Sequence, residues 1–217
     1  MDLKLNSYWR SSAAFRVRIA LNLKQLKHEI IPLDLVKNGG EQREAAYTQK
    51  NPQQLVPVLE DGVNVLRQSL AIIEYLDEIQ PLPPLLPTTP IDRSWVRALA
   101  MDIACDIHPL NNFRVMKYLH KQIKLSDQEK NDWYRHWLTL GLSGIETSLQ
   151  QSSKSGLFCF GDQVTLADIC LIPQLFNAKG SGLDLSSYPL INRIFEECMQ
   201  LPAFKNASWE FQVDYPK

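Results

Sequence analysis

No apolar run in this chain approaches the roughly 18 residues that a membrane span requires. The start, Met1-Asp2-Leu3-Lys4-Leu5-Asn6, lacks the apolar core of a secretion signal. Charge of one sign is also lacking: the formal net charge is −1, so no basic field for nucleic acid is expected. Cysteine is scarce and scattered. Cys105, Cys159, Cys170 and Cys198 form no CxxC pair, and no His lies at zinc-ligand spacing from them. Reduced, buried thiols are therefore expected, and no metal. Together these absences point to a cytoplasmic protein without a nucleic-acid or membrane partner. What is present is 217 residues of ordinary globular composition, enough for one large domain or two small ones with a sizeable core.

Composition shifts at Gln80-Pro81-Leu82-Pro83-Pro84-Leu85-Leu86-Pro87-Thr88-Thr89-Pro90. Prolines at this density cannot continue a helix or a central strand, so the run reads as an extended, semi-rigid linker. Before it, strands and helices alternate. Leu3–Tyr8 and His28–Leu33 read as strands, and Ala13–Leu23 and Glu41–Gln49 as helices. Val58–Glu60 and Asn64–Leu66 read as a hairpin around Asp61-Gly62, and Ser69–Ile79 as a closing helix. The order βαβαββα predicts a small α/β domain with a mixed sheet over residues 1–80. After a linker at 81–90, residues 91–217 read as all-helical. The segments are Asp92–Lys121, interrupted at Pro109, then Asp127–Gln150, Thr165–Asn177 and Leu190–Leu201.

Two helix starts stand out. In Ser11-Ser12-Ala13-Ala14-Phe15-Arg16-Val17-Arg18-Ile19-Ala20-Leu21, two hydroxyls sit where a strand gives way to a helix. The first amides of a helix have no partners within it, and the macrodipole is positive there, so this position suits an anion. By spacing alone, Ser11 or Ser12 serves equally well as a cap. Arg16 and Arg18 lie inside the helix and read as members of structural ion pairs. Further on, Thr165-Leu166-Ala167-Asp168 has the spacing of a capping box, with Val164 and Ile169 placed as its hydrophobic staple.

These pieces together resemble a glutathione transferase over nearly the whole chain. Leu55-Val56-Pro57 resembles the family's cis-proline loop, Gln68-Ser69 its site for the γ-glutamyl carboxylate, and Thr165–Asp168 its buried capping box. The Ser11–Leu21 stretch is similar to the zeta-class signature. Asn51-Pro52-Gln53-Gln54-Leu55-Val56-Pro57, Gln68 to Leu76 and Asp106-Ile107-His108-Pro109-Leu110-Asn111-Asn112 also look like zeta-class members. The resemblance implies a thioredoxin-like N-terminal domain, a helical C-terminal domain, a homodimer, and glutathione as a regenerated co-substrate.

The anion at the first helix would then be the glutathione thiolate, with Ser11 as its hydroxyl donor. A free thiol has a pKa of about 8.5, and lowering it by two units needs about 2.7 kcal/mol. A hydrogen bond to a charged sulfur supplies about 1.5–3 kcal/mol, and the helix start about 0.3–2 kcal/mol. The reaction implied is cis–trans isomerisation of maleylacetoacetate, or of maleylpyruvate, by reversible thiolate addition. By resemblance, Ser12, Gln42, Val56, Pro57, Gln68, Ser69, His108 and Asn112 bind glutathione. Arg10, Arg114 and Lys179 would meet a substrate carboxylate, Arg10 by a bidentate grip.

Two positions depart from the zeta pattern. Ala13 stands where the signature has Cys, and Gly180 where an Arg usually holds a carboxylate. The second departure makes room for another expectation, a general transferase or peroxidase acting on apolar electrophiles. A third is a non-catalytic interaction module, whose mark would be loss of Ser11, Val56-Pro57, Gln68 or Ser69; all are present.

Overall fold

Alternation in Leu3-Lys4-Leu5 turns two leucines to one face, and both are buried in strand β1 (Leu3–Ser7). This computed structural model describes residues 2–216, and the chain divides into two units, Met1–Pro84 with Met199–Lys217, and Leu85–Cys198. In the first, β1 leads to α1 (Ser12–Leu23), β2 (His28–Pro32), α2 (Ala45–Lys50), β3 (Val58–Asp61), β4 (Asn64–Arg67) and α3 (Ser69–Ile79). The sheet order is β2-β1-β3-β4, with β1 and β2 parallel and the other pairs antiparallel. This is the expected βαβαββα order and mixed sheet. Phe15, Ile19 and Leu21 of α1 and Ile72, Ile73 and Leu76 of α3 are fully or almost fully buried. The α2 helix is shorter than expected. Gly39 and Gly40 take positive φ and Glu44 is extended, so residues 41–43 form a separate tight turn.

The proline run contributes to each unit. Its boundary falls between Pro84 and Leu85. In the first unit, the buried Lys24 ammonium donates to Asp77 Oδ1 and to the Pro83 carbonyl, each at 2.5 Å. In the second, Leu85 and Leu86 are buried, and the Leu85 carbonyl accepts the Leu166 amide at 2.9 Å.

The second unit is helical: α4 (Pro90–Met101), α5 (Phe113–Lys121), α6 (Asp127–Gln151), α7 (Leu166–Gly180) and α8 (Pro189–Gln200). The break expected at Pro109 begins earlier. A wide turn over Asp102–Ile107 and a tight one over His108–Asn111 precede α5. A Cβ at Gly141 would lie 2.3 Å from Ile107 Cδ1, so the glycine leaves room for Ile107 where α6 meets this wide turn. Trp133 Nε1 of α6 donates to the Leu110 carbonyl at 2.9 Å. The capping box of α7 forms as expected. Asp168 is wholly buried and accepts the Thr165 amide at 2.8 Å, and it also accepts the Cys159 amide at 2.7 Å. Glu146 of α6 accepts the Leu190 and Ile191 amides, each at 3.0 Å, and so caps α8 from a distant helix. Cys105 is exposed, contrary to expectation, while the other three cysteines are buried.

After α8 the chain returns to the first unit through α9 (Pro202–Lys205) and a tight turn at Trp209–Phe211. These last residues, expected in the helical domain, pack instead in the first unit, with α9 against α1. Phe204 is buried and Asn22 Nδ2 donates to the Ala203 carbonyl at 2.9 Å. No helix among the described residues is long and apolar enough to cross a membrane.

Candidate active site

Strand β1 ends at Ser7, and Tyr8–Ser11 connect it to α1. The Ser11 amide donates back to the Tyr8 carbonyl at 3.0 Å, and the Ser11 oxygen accepts the Ala14 amide at 3.2 Å. Ser11 is therefore the N-cap of α1, as the plain reading of its spacing held. A hydroxyl has two lone pairs and one proton. The cap uses a lone pair, and among the described residues the proton has no acceptor. Ser11 is half-buried, whereas Ser12 is 2% exposed. Tyr8, the other hydroxyl of the loop, is held above its ordinary pKa, first by burial and then by Asp34. It stays protonated at neutral pH and does not compete as a base.

Arg10 is exposed, with its guanidinium 5.8 Å from the Trp209 ring centre. Arg16 and Arg18 are both buried. Arg16 Nη1 donates to Ser69 Oγ at 3.3 Å. Arg18 differs from the ion pair expected of it. Its nitrogens bond to Ser7 Oγ at 2.9 Å and to the carbonyls of Tyr8, Trp9 and Ala207 at 3.3, 3.1 and 3.0 Å. Burial draws its pKa down to about 9, opposed by Asp214, so it remains charged at neutral pH.

The Val56–Pro57 peptide is cis, the geometry implied by the resemblance. The preceding Leu55 carbonyl is held by Tyr47 Oη and Asn51 Nδ2, both at 2.7 Å. At the start of α3, Gln68 has φ 70° and ψ 117°, a left-handed conformation in a residue other than glycine. Such backbone costs about 1–3 kcal/mol and persists where the surroundings enforce it. It leaves Gln68 exposed and Ser69 buried at the unpartnered amides of α3. Gln42 is buried, its carboxamide packed beneath Gly40, where a Cβ would lie 2.4 Å from Gln42 Oε1.

In the second unit, His108 opens the tight turn after α4, and Asn112 caps α5. Their Nε2 and Nδ2 atoms are 3.4 Å apart, and Asn112 Oδ1 accepts the Arg114 amide at 3.0 Å. These three residues are thus brought together. Lys179 is directed elsewhere: its ammonium lies 3.9 Å from the Phe195 ring centre. Gly180 is the last residue of α7. Sequence reasoning missed the segment around Trp209 and Asp214, which reaches the Tyr8–Arg10 loop. Its only signal was a late run of aromatic residues. Among the described residues, no group of three or more His, Cys, Asp or Glu is placed to hold a metal.

The family model described as glutathione S-transferase, N-terminal domain, matches residues 10–79. A probable maleylacetoacetate isomerase of Vibrio cholerae serotype O1 is 50% identical over 214 residues, 99% of each chain. The holo structure of a maleylpyruvate isomerase, a bacterial glutathione transferase of the zeta class, superposes with a TM-score of 0.95 at 43% identity. It covers 98% of this chain and 100% of its own. A maleylacetoacetate isomerase of Methylobacterium extorquens AM1, with bound malonate and glutathione, gives a TM-score of 0.95 at 41% identity. Coverage there is 99% of this chain and 100% of the other.

Proposed function

Because the chain belongs to the zeta class of the glutathione transferases, we propose that it is a glutathione-dependent cis–trans isomerase converting maleylacetoacetate to fumarylacetoacetate. The Ser11 hydroxyl carries the reading: it caps α1 with a lone pair and keeps its proton for a ligand. Bound glutathione supplies a sulfur anion that adds to the activated alkene and later leaves, so that the carbon–carbon bond turns while it is single.

The residues present suit that ligand. Ser11 donates its proton to the sulfur, and the first turn of α1 adds a positive dipole end. The Val56 backbone, beside the fixed Leu55 carbonyl, is assigned to the cysteinyl unit. Gln68 and Ser69, with the amides of α3, are assigned to the γ-glutamyl carboxylate. By resemblance, Ser12, Gln42, His108 and Asn112 are assigned to the remaining glutathione contacts. Arg10 and Arg114, both exposed, are assigned to the carboxylates of the substrate. Lys179 receives the lesser part, since its ammonium already lies on an aromatic ring. We further propose that the enzyme is a homodimer of the cytoplasm, which sedimentation and fractionation would test.

Assay with glutathione and either maleylacetoacetate or maleylpyruvate tests this reading. Turnover of a dicarboxylate well above that of a chloronitrobenzene acceptor supports it, and the reverse order contradicts it. The Lys179–Phe195 contact favours one second reading, a general glutathione transferase with an incomplete carboxylate clamp. Under the isomerase reading, Gly180→Arg raises dicarboxylate turnover; under the second, it leaves chloronitrobenzene conjugation as the main activity.

A further inference from the structure

The loop that carries Arg10 and Ser11 is fixed from the far end of the chain. The Trp9 amide donates to Asp214 Oδ2 at 2.9 Å, across 205 positions of sequence. Arg18 ties the Tyr8 and Trp9 carbonyls and Ser7 Oγ to the Ala207 carbonyl, so one buried guanidinium clasps both segments. The Trp9 ring stands edge-on to Trp209 at 5.6 Å and to Tyr215 at 5.1 Å. Trp209 also lies under the Arg10 guanidinium. The segment is itself braced: Ser208 Oγ donates to the Lys205 carbonyl at 2.8 Å, and Gln212 Nε2 donates to the Ser208 carbonyl at 2.8 Å. Ser11 follows directly and hangs from the same loop through its bond to the Tyr8 carbonyl.

We propose that the segment after α9 is a strap that positions the Arg10–Ser11 loop for the reaction, with Asp214 and Trp209 as its positioning residues. The proposal rests on the assignment of Ser11 and Arg10 made above. Asp214 fixes the backbone one residue before Arg10 and so sets where the Ser11 hydroxyl points. Trp209 offers an aromatic face that limits the directions open to Arg10. A hydroxyl displaced by an ångström loses much of its bond to sulfur, because hydrogen bonds weaken steeply with length and angle.

The test compares the full-length protein with Asp214→Ala, Asp214→Asn, Trp209→Ala and Trp209→Phe. In Asp214→Ala, the Trp9 amide should lose hydrogen-exchange protection while Ile19 in the middle of α1 keeps it. Bound glutathione should then titrate about one pH unit higher, with turnover about tenfold lower. Asp214→Asn keeps an acceptor for Trp9 and should stay within about twofold of the parent. Trp209→Ala should raise the KM for the dicarboxylate roughly 2–5-fold with glutathione affinity unchanged, and Trp209→Phe should restore it. Unchanged Trp9 protection and glutathione titration in Asp214→Ala would overturn the strap. So would a loss of protection shared by all of α1, which would mean that the segment only holds the fold together. If the parent itself fails to ionise glutathione, the functional reading falls, and the exchange measurement alone decides for or against the strap.

Discussion

The Ser11 oxygen accepts the Ala14 amide at 3.2 Å while its proton stays available, so one side chain both starts α1 and offers a donor at the same point. The two roles separate by substitution. Ser11→Ala removes both: stability should fall by about 1 kcal/mol, and turnover by more than tenfold. Ser11→Asp preserves the cap and supplies a negative charge with no proton to give. Its melting temperature should match the parent's while turnover is lost. Turnover surviving in Ser11→Asp would mean that the hydroxyl acts only as a cap.

Gln68 provides a second separation. Its φ of 70° suits glycine, so Gln68→Gly relieves backbone strain worth about 1 kcal/mol or more. The melting temperature should hold or rise. Glutathione affinity should fall about tenfold, because the side chain at the start of α3 is lost. Calorimetric titration beside a thermal melt reads both; affinity equal to the parent's would remove Gln68 from the site.

Asp168 should behave as a purely structural residue. Asp168→Ala strands the buried Cys159 and Thr165 amides, each costing about 1–3 kcal/mol. The melting temperature should drop sharply, whereas the glutathione affinity of the folded fraction should not change. An affinity loss at a temperature where the variant is fully folded would contradict this division.

The loop that presents Gln42 carries its own pH dependence. Asp34 accepts the Lys37 and Val36 amides, and these bonds lower its carboxyl pKa. A pKa lowered on folding gives a contribution that is whole above the unfolded value, about 3.9, and fades as pH falls through the lowered one. Protection of the Val36 and Lys37 amides should therefore persist from neutral pH down to about 4 and fail only below it. Protection lost already at mildly acid pH would remove Asp34 as the anchor.

Much of this was legible in the sequence because it is local. The order of strands and helices follows from short-range alternation and periodicity, and the Thr165–Asp168 box from a spacing of three. The Ser11 and Ser69 helix starts are equally local signals. What escaped reading depends on partners far apart in the chain. Arg18 and Arg16 look alike in the sequence, yet Arg18 joins the nearby Trp9 carbonyl to that of Ala207, 189 residues away. Glu146 caps a helix more than forty residues away. The final segment reads as a tail of the helical domain until Asp214 meets Trp9. The early break before Pro109 lies where Ile107 packs against Gly141 of α6, a partner more than thirty residues away that no local pattern encodes.

The account turns on the acidity of one sulfur. Titration of glutathione bound to the parent protein, followed by thiolate absorbance, should give a pKa near 6.5, down from about 8.5 for the free thiol, with most of the shift lost in Ser11→Ala. A bound pKa that stays at the free value would contradict it.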